Sequence, residues 1–203
     1  MKNYVYEGKN LEELTLQALK ELDVKEDEMI TTTKEETVGL LKKKKYTLNI
    51  ILKSDVLEYS KELIKNIVTG MGIDDIIIET QRKEQCLKLT LHSSQSSILI
   101  GKDGRTLSSL QNLLRSSIQT KTGMYVNVIL DVENYKVKKE HNIERLAKKL
   151  AKEVLRTKEP ITMDSMNSYE RRLVHNALAN FKGISSDSEG EEPNRRIVIK
   201  PIE

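Results

Sequence analysis

Residues 94–107 read SQSSILIGKDGRTL, and this stretch decides the fold in the middle of the chain. The apolar triplet 98–100 closes a short predicted helix, two glycines three residues apart follow it, and an amphipathic helix begins at Arg105. Because a glycine has no Cβ, its backbone takes turns that other residues disfavour and lets a ligand approach closely. The pattern predicts a helix, a G-x-x-G loop and a second helix.

Apolar periodicity on both sides of this loop predicts the surrounding elements. They are helix 54–72, strands 73–80 and 86–92, helices 94–100 and 105–121, and strand 124–132. A polar turn at 81–84 joins the first two strands. Gly123 ends the helix 105–121. The order is helix, strand, strand, helix, helix, strand, which predicts an α+β fold class.

The G-x-x-G loop is the first candidate site. The second helix begins at the loop, so its free N–H groups and positive dipole end face any anion held there. We expect a phosphodiester backbone at the glycines and bases beside an apolar groove that includes Leu107. The negative charge of Asp103 opposes an anion, and a tight interhelical turn without a ligand is the alternative. The candidate residues are Gly101, Lys102, Asp103, Gly104, Arg105, Ile98 and Ile100.

With these residues and this element order, residues 55–132 resemble a KH domain of type II. In that family the G-x-x-G loop clamps about four nucleotides of a single strand. The resemblance therefore implies a single-strand nucleic-acid site at residues 101–104.

The second candidate site lies on the last predicted helix, 167–181, which Asn167 is placed to cap. Arg171 and His175 are four residues apart and share a helix face, which Lys182 extends. We expect this face to point away from the core, or along its edge, and to suit phosphate oxygens. The basic predicted helix 134–157 would widen the patch. In the alternative, the two residues tie their helix to the loop 187–192 through ion pairs.

Two stretches carry a second resemblance, MNSYERRLVH at 166–175 and GEEPNRRIVI at 190–199. Together they resemble the R-3-H domain, which is named for its Arg-x-x-x-His signature, over residues 134–203. That family binds single-stranded nucleic acid, so the resemblance implies a second site around Arg171 and His175.

Residues 1–53 read as a small α/β unit, with strands at 4–6, 29–37 and 46–52 and a helix that Asn10 caps. The lysine run 42–45, which follows Gly39, predicts a solvated loop, with an anionic partner as the alternative.

The order of the three parts resembles the Jag family, also called the KhpB or EloR family. The resemblance implies three small α/β modules: a Jag N-like domain at 1–53, a KH domain at 54–133 and an R-3-H domain at 134–203. The N-terminal part departs from the family pattern after Gly39.

Composition narrows the function classes. Aromatic residues make up 4% of the 203 residues and there is no Trp, which excludes an aromatic stacking platform. The single cysteine excludes an intramolecular disulfide framework and a cysteine metal site. Three scattered histidines and no Walker loop argue against an enzyme, a cofactor or a metal centre. Without an apolar signal core or a run of about 20 apolar residues, we expect a cytoplasmic protein with no membrane span.

We therefore expect a non-enzymatic protein that binds single-stranded RNA, with single-stranded DNA as the alternative ligand. The family resemblance implies a regulator linked to cell elongation, division or sporulation, and a small KH-domain protein or a second copy as partner. The alternative function is a protein-interaction adaptor. It would be recruited to the inner face of the membrane, where it meets an envelope-associated partner or the membrane-insertion machinery.

Overall fold

The computed structural model describes residues 1–38, 43–83 and 86–202. The chain divides into two compact units, Met1–Glu133 and Asn134–Glu203. The first unit contains two three-stranded sheets and the second contains one, each with its own helices. The fold is therefore a set of small mixed α/β modules, as the sequence predicts.

The N-terminal sheet has the strand order β1-β3-β2, and all its pairs are antiparallel. Asn10 caps the first helix, since its side chain accepts a hydrogen bond from the Glu12 N–H. The buried side chains of Leu14 and Ala18 pack this helix against the sheet. Its elements are β1 (Tyr4–Gly8), α1 (Leu11–Leu22), β2 (Met29–Val38) and β3 (Lys43–Leu52).

The predicted loop at the lysine run is wrong for Lys43–Lys45, because these residues begin β3. Antiparallel pairing with β2 and β1 brings carboxylates to the lysines. Lys44 Nζ lies 2.7 Å from Glu35 Oε1, and Lys45 Nζ lies 2.6 Å from Glu7 Oε2. Cross-strand charge pairs thus support the strand here. Gly39 and Lys42 lie outside the described residues.

The second sheet of the first unit has the order β4-β5-β6. Strand β4 runs antiparallel to β5, and β6 runs parallel to β5. The predicted order of helix, strand, strand, helix, helix, strand is confirmed. Its elements are α2 (Lys53–Gly70), β4 (Ile77–Arg82), β5 (Leu87–His92), α3 (Ser96–Ile100), α4 (Arg105–Thr122) and β6 (Val128–Val132).

Two strands start later than predicted, because the apolar residues before them finish a helix end instead. The Ile73 N–H donates to the Val68 carbonyl of α2 at 3.2 Å, and its side chain is fully buried. The Met124 N–H donates to Thr122 Oγ1 at 3.1 Å, beyond the end of α4. The predicted turn at 81–84 is also shifted, since Arg82 still belongs to β4; residue 84 lies outside the described residues.

The second unit packs two helices on a sheet of order β7-β9-β8 with antiparallel pairs. Asn167 and Glu170 form the predicted capping box at the start of the second helix. That helix ends at Leu178, three residues before the predicted end at Phe181. The elements are α5 (Tyr135–Thr157), β7 (Ile161–Ser165), α6 (Ser168–Leu178), β8 (Ile184–Glu189) and β9 (Arg196–Pro201).

Candidate nucleic-acid interface

The G-x-x-G loop connects α3 to α4 through three residues with positive φ. These φ values are +69° at Gly101, +57° at Asp103 and +82° at Gly104. Gly101 combines its φ with a ψ of 179°, a region that is essentially open to glycine alone. A Cβ at Gly101 would also collide with the side chain of Thr106. The sequence therefore needs glycine at this position for both conformation and space.

The loop presents positive charge and the N-terminus of an 18-residue helix. Gly104 stands at the N-cap of α4 and supplies no side-chain cap, and the first turn carries no acidic residue. The N–H groups of Gly104 and Arg105 already donate to the carbonyls of Gly101 and Lys102, so it is the positive end of the helix dipole that faces an anion at the loop. Lys102 and Arg105 are exposed beside it, as is Asp103, so the loop can approach a phosphate with two flexible cations.

The apolar neighbours of the loop differ from the prediction in one residue. Ile98 is 49% exposed, and Ile100 is half-buried. Leu107 is only 3% exposed, because it lies on the inner face of α4 and belongs to the core. The apolar surface available next to the glycines therefore consists of Ile98 and Ile100, without Leu107.

Two carboxylates that sequence reasoning missed hold α3 in place. Asp75 accepts hydrogen bonds from Ser93 Oγ and the Ser94 N–H, both at 2.7 Å. The hydrogen bonds from Ser94 and then Ser93 lower the pKa of Asp75 from its ordinary 3.8 to about 2. Glu133 accepts from Ser96 Oγ at 2.5 Å, in the first turn of α3. The helix that leads into the G-x-x-G loop is thus anchored at its start.

Arg171 does not lie on an exposed face, and this part of the prediction is wrong. Its side chain is buried, with the whole residue 7% exposed. One guanidinium nitrogen donates to the Met166 carbonyl at 2.7 Å, and another lies 2.8 Å from Glu192 Oε1. The guanidinium faces inward because these two acceptors satisfy it there. The Glu192 pair is the kind of contact that the alternative interpretation expects.

His175 shares the face of Arg171, as the four-residue spacing predicts, and this face points toward β8. Nδ1 lies 2.8 Å from Ser186 Oγ, and Nε2 lies 3.1 Å from Ser188 Oγ. Both ring nitrogens therefore have hydroxyl partners on one strand, and the imidazole is half-buried between them. The contacts are hydrogen bonds to hydroxyls rather than the ion pairs of the alternative interpretation.

Lys182 is exposed but does not extend the helix face of Arg171 and His175. Because α6 ends at Leu178, Lys182 lies in the following turn. Of the three predicted residues of this site, the structure places two against β8 and its adjoining loop, and leaves the third in solvent.

Comparisons with known proteins give the same two domains. Residues 61–130 match the model of the KhpA/KhpB KH domain, and residues 141–201 match the model of the R-3-H domain. The RNA-binding protein KhpB of Bacillus subtilis (strain 168) is 32% identical over 98% of each chain. The protein of that name from Clostridium symbiosum is 34% identical over 95% of this chain and 88% of the relative.

The chain belongs to the KhpB family. The family resemblance predicted from the three-part order of the sequence is thereby confirmed. A third relative, the RNA-binding protein KhpB of Lactiplantibacillus plantarum (strain ATCC BAA-793 / NCIMB 8826 / WCFS1), is 37% identical over 55% of this chain and 34% of the relative.

In this KhpB-family chain, the solvent side of α6 carries residues that the motif does not name. Tyr169 is 56% exposed and donates from its hydroxyl to Glu140 Oε1 at 2.9 Å. Arg172 and Asn176 are exposed on the same side. Of the adjacent residues Arg171 and Arg172, Arg172 is therefore the exposed one. The packing of α6 on β8 decides which of the two arginines is buried.

The described residues of this KhpB-family chain form neither a grouped metal site nor a membrane-spanning helix. No three or more His, Cys, Asp or Glu side chains of residues 1–38, 43–83 and 86–202 are grouped so that they could hold a metal ion. Within the same ranges, no helix is both long enough and apolar enough to cross a membrane.

Proposed function

We propose that this member of the KhpB family binds single-stranded RNA and that the G-x-x-G loop is its phosphate clamp. The observation that carries the proposal is the loop at residues 101–104, where Lys102 is exposed and Gly101 is half-buried. Gly104 is buried at the N-terminus of α4, which has no side-chain cap, and Arg105 is exposed beside it. The names of the relatives, which are RNA-binding proteins, support RNA as the ligand.

In the proposed complex, a phosphate lies against the backbone of half-buried Gly101, where no Cβ holds it away. The positive end of the α4 dipole attracts the phosphate, and the side chains of Lys102 and Arg105 add charge-assisted hydrogen bonds. The bases turn toward Ile98 and Ile100, whose exposed carbon surface contacts their faces. RNA rather than DNA remains a proposal that rests on the relatives.

We propose a second RNA contact in the R-3-H domain. Lys182 can reach a phosphate directly because it is exposed. Arg171 can bind a phosphate only where that phosphate replaces the carboxylate of Glu192, which is the exposed partner of the ion pair. His175 then holds β8 and its following loop next to that phosphate. Two contacts on one chain would raise the apparent affinity through effective concentration.

The wider proposals rest on the family resemblance. They are a division of the first unit into domains 1–53 and 54–133, and a cytoplasmic, non-catalytic regulator of cell elongation, division or sporulation. They also include a small KH-domain protein or a second copy as partner. The adaptor function keeps less support, because Lys44 and Lys45, two of the lysines proposed to meet an acidic partner, are already paired with glutamates.

Fluorescence anisotropy with single-stranded RNA and DNA of equal length, over a salt series, tests the proposed clamp. Each phosphate neutralised on a single strand contributes about 0.7 to the slope of log K against log salt. We expect Lys102→Asp to weaken RNA binding about tenfold and to lower this slope. Lys65→Asp, which makes the same charge change on exposed α2, should stay within about twofold of wild type.

A flat salt response, or no binding at low salt, would contradict the RNA-binding proposal as a whole. Equal effects of Lys102→Asp and Lys65→Asp would leave RNA binding in place and remove the loop as its site. Tighter binding of DNA than RNA would reverse the choice of ligand.

A further inference from the structure

The second unit carries a basic surface that no motif names, on the side of α5 away from the core. At about 100° per residue, the positions involved fall within an arc of about 100° around the helix axis. Each of these residues is exposed. We call this surface the outer face of α5, and it consists of His141, Arg145, Lys148, Lys149, Lys152 and Arg156.

The charge of the outer face is left without acidic partners. Arg145 donates to the amide oxygen of Asn142 at 3.3 Å. In the described part of the chain, Lys148, Lys149 and Lys152 take part in no ion pair. Of the acidic residues of α5, Glu144 borders the arc and lines the same surface as the cations, and Glu140 and Glu153 fall outside the arc. Glu170 of α6 pairs with Lys139, also outside the arc, at 2.6 Å. The outer face of α5 therefore carries a net positive charge.

The outer face is separate from the Arg-x-x-x-His pair. The inner side of α5 buries Ala147, Ala151 and Val154 in the core that it shares with α6 and the sheet. The outer face points in the opposite direction by helix geometry. Arg171 and His175 are instead held against Glu192 and the serines of β8. An RNA strand bound at the outer face of α5 therefore does not occupy the Arg-x-x-x-His site.

We propose that the outer face of α5 is an independent binding surface for the phosphate backbone of single-stranded RNA. From His141 to Arg156 it extends for about 22 Å at the helical rise, which is long enough for several successive phosphates. Long flexible cations that lie along one line give sequence-independent phosphate contacts. A lipid surface fits less well, because the apolar side of α5 is used in the core and cannot insert into a bilayer. The inference rests on the proposed function in that its ligand is RNA.

The test replaces four cations of the outer face in the full chain, as Arg145→Gln, Lys148→Gln, Lys149→Gln and Lys152→Gln. Glutamine keeps the helix propensity of the sequence, so the fold should persist. The matched control removes four exposed lysines elsewhere, as Lys9→Gln, Lys20→Gln, Lys61→Gln and Lys65→Gln, and has the same net charge. Both are compared with wild type by anisotropy on single-stranded RNA over a salt series.

We expect the outer-face variant to lower the salt slope by about two or more, since four contacts at about 0.7 each give about 2.8 at most. The control should change it by less than one. A second measurement needs no variant: RNA should protect Lys148, Lys149 and Lys152 from chemical acetylation while Lys61 stays reactive.

Equal slopes for the two variants, or no protection of the three lysines, would overturn the inference and leave the loop clamp untouched. If neither wild type nor either variant binds RNA, the proposed function and this inference are both overturned. If RNA affinity is unchanged and only the outer-face variant fails to sediment with phosphatidylcholine–phosphatidylserine vesicles, the surface is a lipid contact and the inference is wrong.

Discussion

The two motifs that point to nucleic acid are built in opposite ways. In the G-x-x-G loop the important groups are the glycine backbone and two exposed cations, Lys102 and Arg105, which form no ion pair within the described residues. In the Arg-x-x-x-His motif the important groups are side chains, and internal acceptors and hydroxyls already satisfy them. The exposed cations of the first motif are thus unpaired in the described part of the chain, whereas a phosphate at Arg171 would have to replace an existing partner.

This difference has an energetic consequence. An exposed lysine that binds a phosphate contributes to affinity and little to stability, since few interactions are lost when it is removed. A buried arginine with two partners contributes to stability, and its contribution to binding is only the difference between the old partner and the new one. The same ligand chemistry is therefore expected to respond differently to mutation in the two domains.

The largest expected effect is that of Gly101→Ala on the first unit. The new Cβ would meet the side chain of Thr106 in a backbone conformation reserved for glycine, at a cost of about 3 kcal/mol in the free energy of unfolding. Gly72→Ala is the control, because it has a φ of +84° with open space around it and should cost about 1 kcal/mol. Urea denaturation followed by circular dichroism measures both. Equal costs would show that Thr106 moves aside and that space does not require this glycine.

The next effect separates the two motifs directly. Arg171→Ala removes a hydrogen bond and an ion pair from a buried guanidinium, so we expect about 2 kcal/mol less stability, an amount moderated by the exposure of Glu192. Arg172→Ala on the solvent side and Lys102→Ala in the loop should each stay within about 0.5 kcal/mol of wild type. The same urea experiment checks all three. An Arg171 variant as stable as wild type would mean that its ion pair does not form in solution.

A smaller effect tests whether Arg171 exchanges its partner. Glu192→Gln removes the competing carboxylate, so RNA affinity should rise about threefold, within the range of one exposed ion pair. Glu191→Gln makes the same change of net charge at an exposed neighbour and should have less effect. Anisotropy with single-stranded RNA measures the difference. Equal affinities of the two variants would assign Arg171 to the fold alone.

The sequence predicted the loop well, because the information that forms it is local. Two glycines, a preceding apolar triplet and a following amphipathic helix lie within 14 residues. Glycine at a positive φ and a helix N-terminus are properties of neighbouring residues, so no distant part of the chain is needed to infer them. The one wrong neighbour was Leu107, whose depth depends on how α4 packs.

The orientation of Arg171 was not predictable in the same way. The four-residue spacing correctly put Arg171 and His175 on one face, but the partners of that face come from Met166, Glu192 and two serines of β8. These contacts depend on where the sheet lies relative to α6. The pairing of Lys44 and Lys45 depended in the same way on strand register, which a run of lysines does not reveal.

The smallest effect concerns the support of the loop, and it appears as a pH dependence. Asp75 has a pKa of about 2 in the folded chain, against an ordinary 3.8, because Ser94 and Ser93 hydrogen-bond its charged form. Because the pKa of Asp75 is lower in the folded chain than in the unfolded chain, its carboxylate stabilises the fold at a pH above the unfolded pKa. This contribution is lost as the pH falls from about 4 toward 2. The melting temperature of wild type should therefore exceed that of Asp75→Asn above about pH 5.

The two melting curves should converge over that acid window, whereas Asp74→Asn, at an exposed neighbour, should follow wild type throughout. A gap between wild type and Asp75→Asn that persists below the window would show that the carboxylate charge is not what holds Ser93 and Ser94. The anchoring of α3 would then come from Glu133 and the core. Acid would then not loosen the support of the loop, and a change in RNA binding at low pH would have to come from groups other than Asp75.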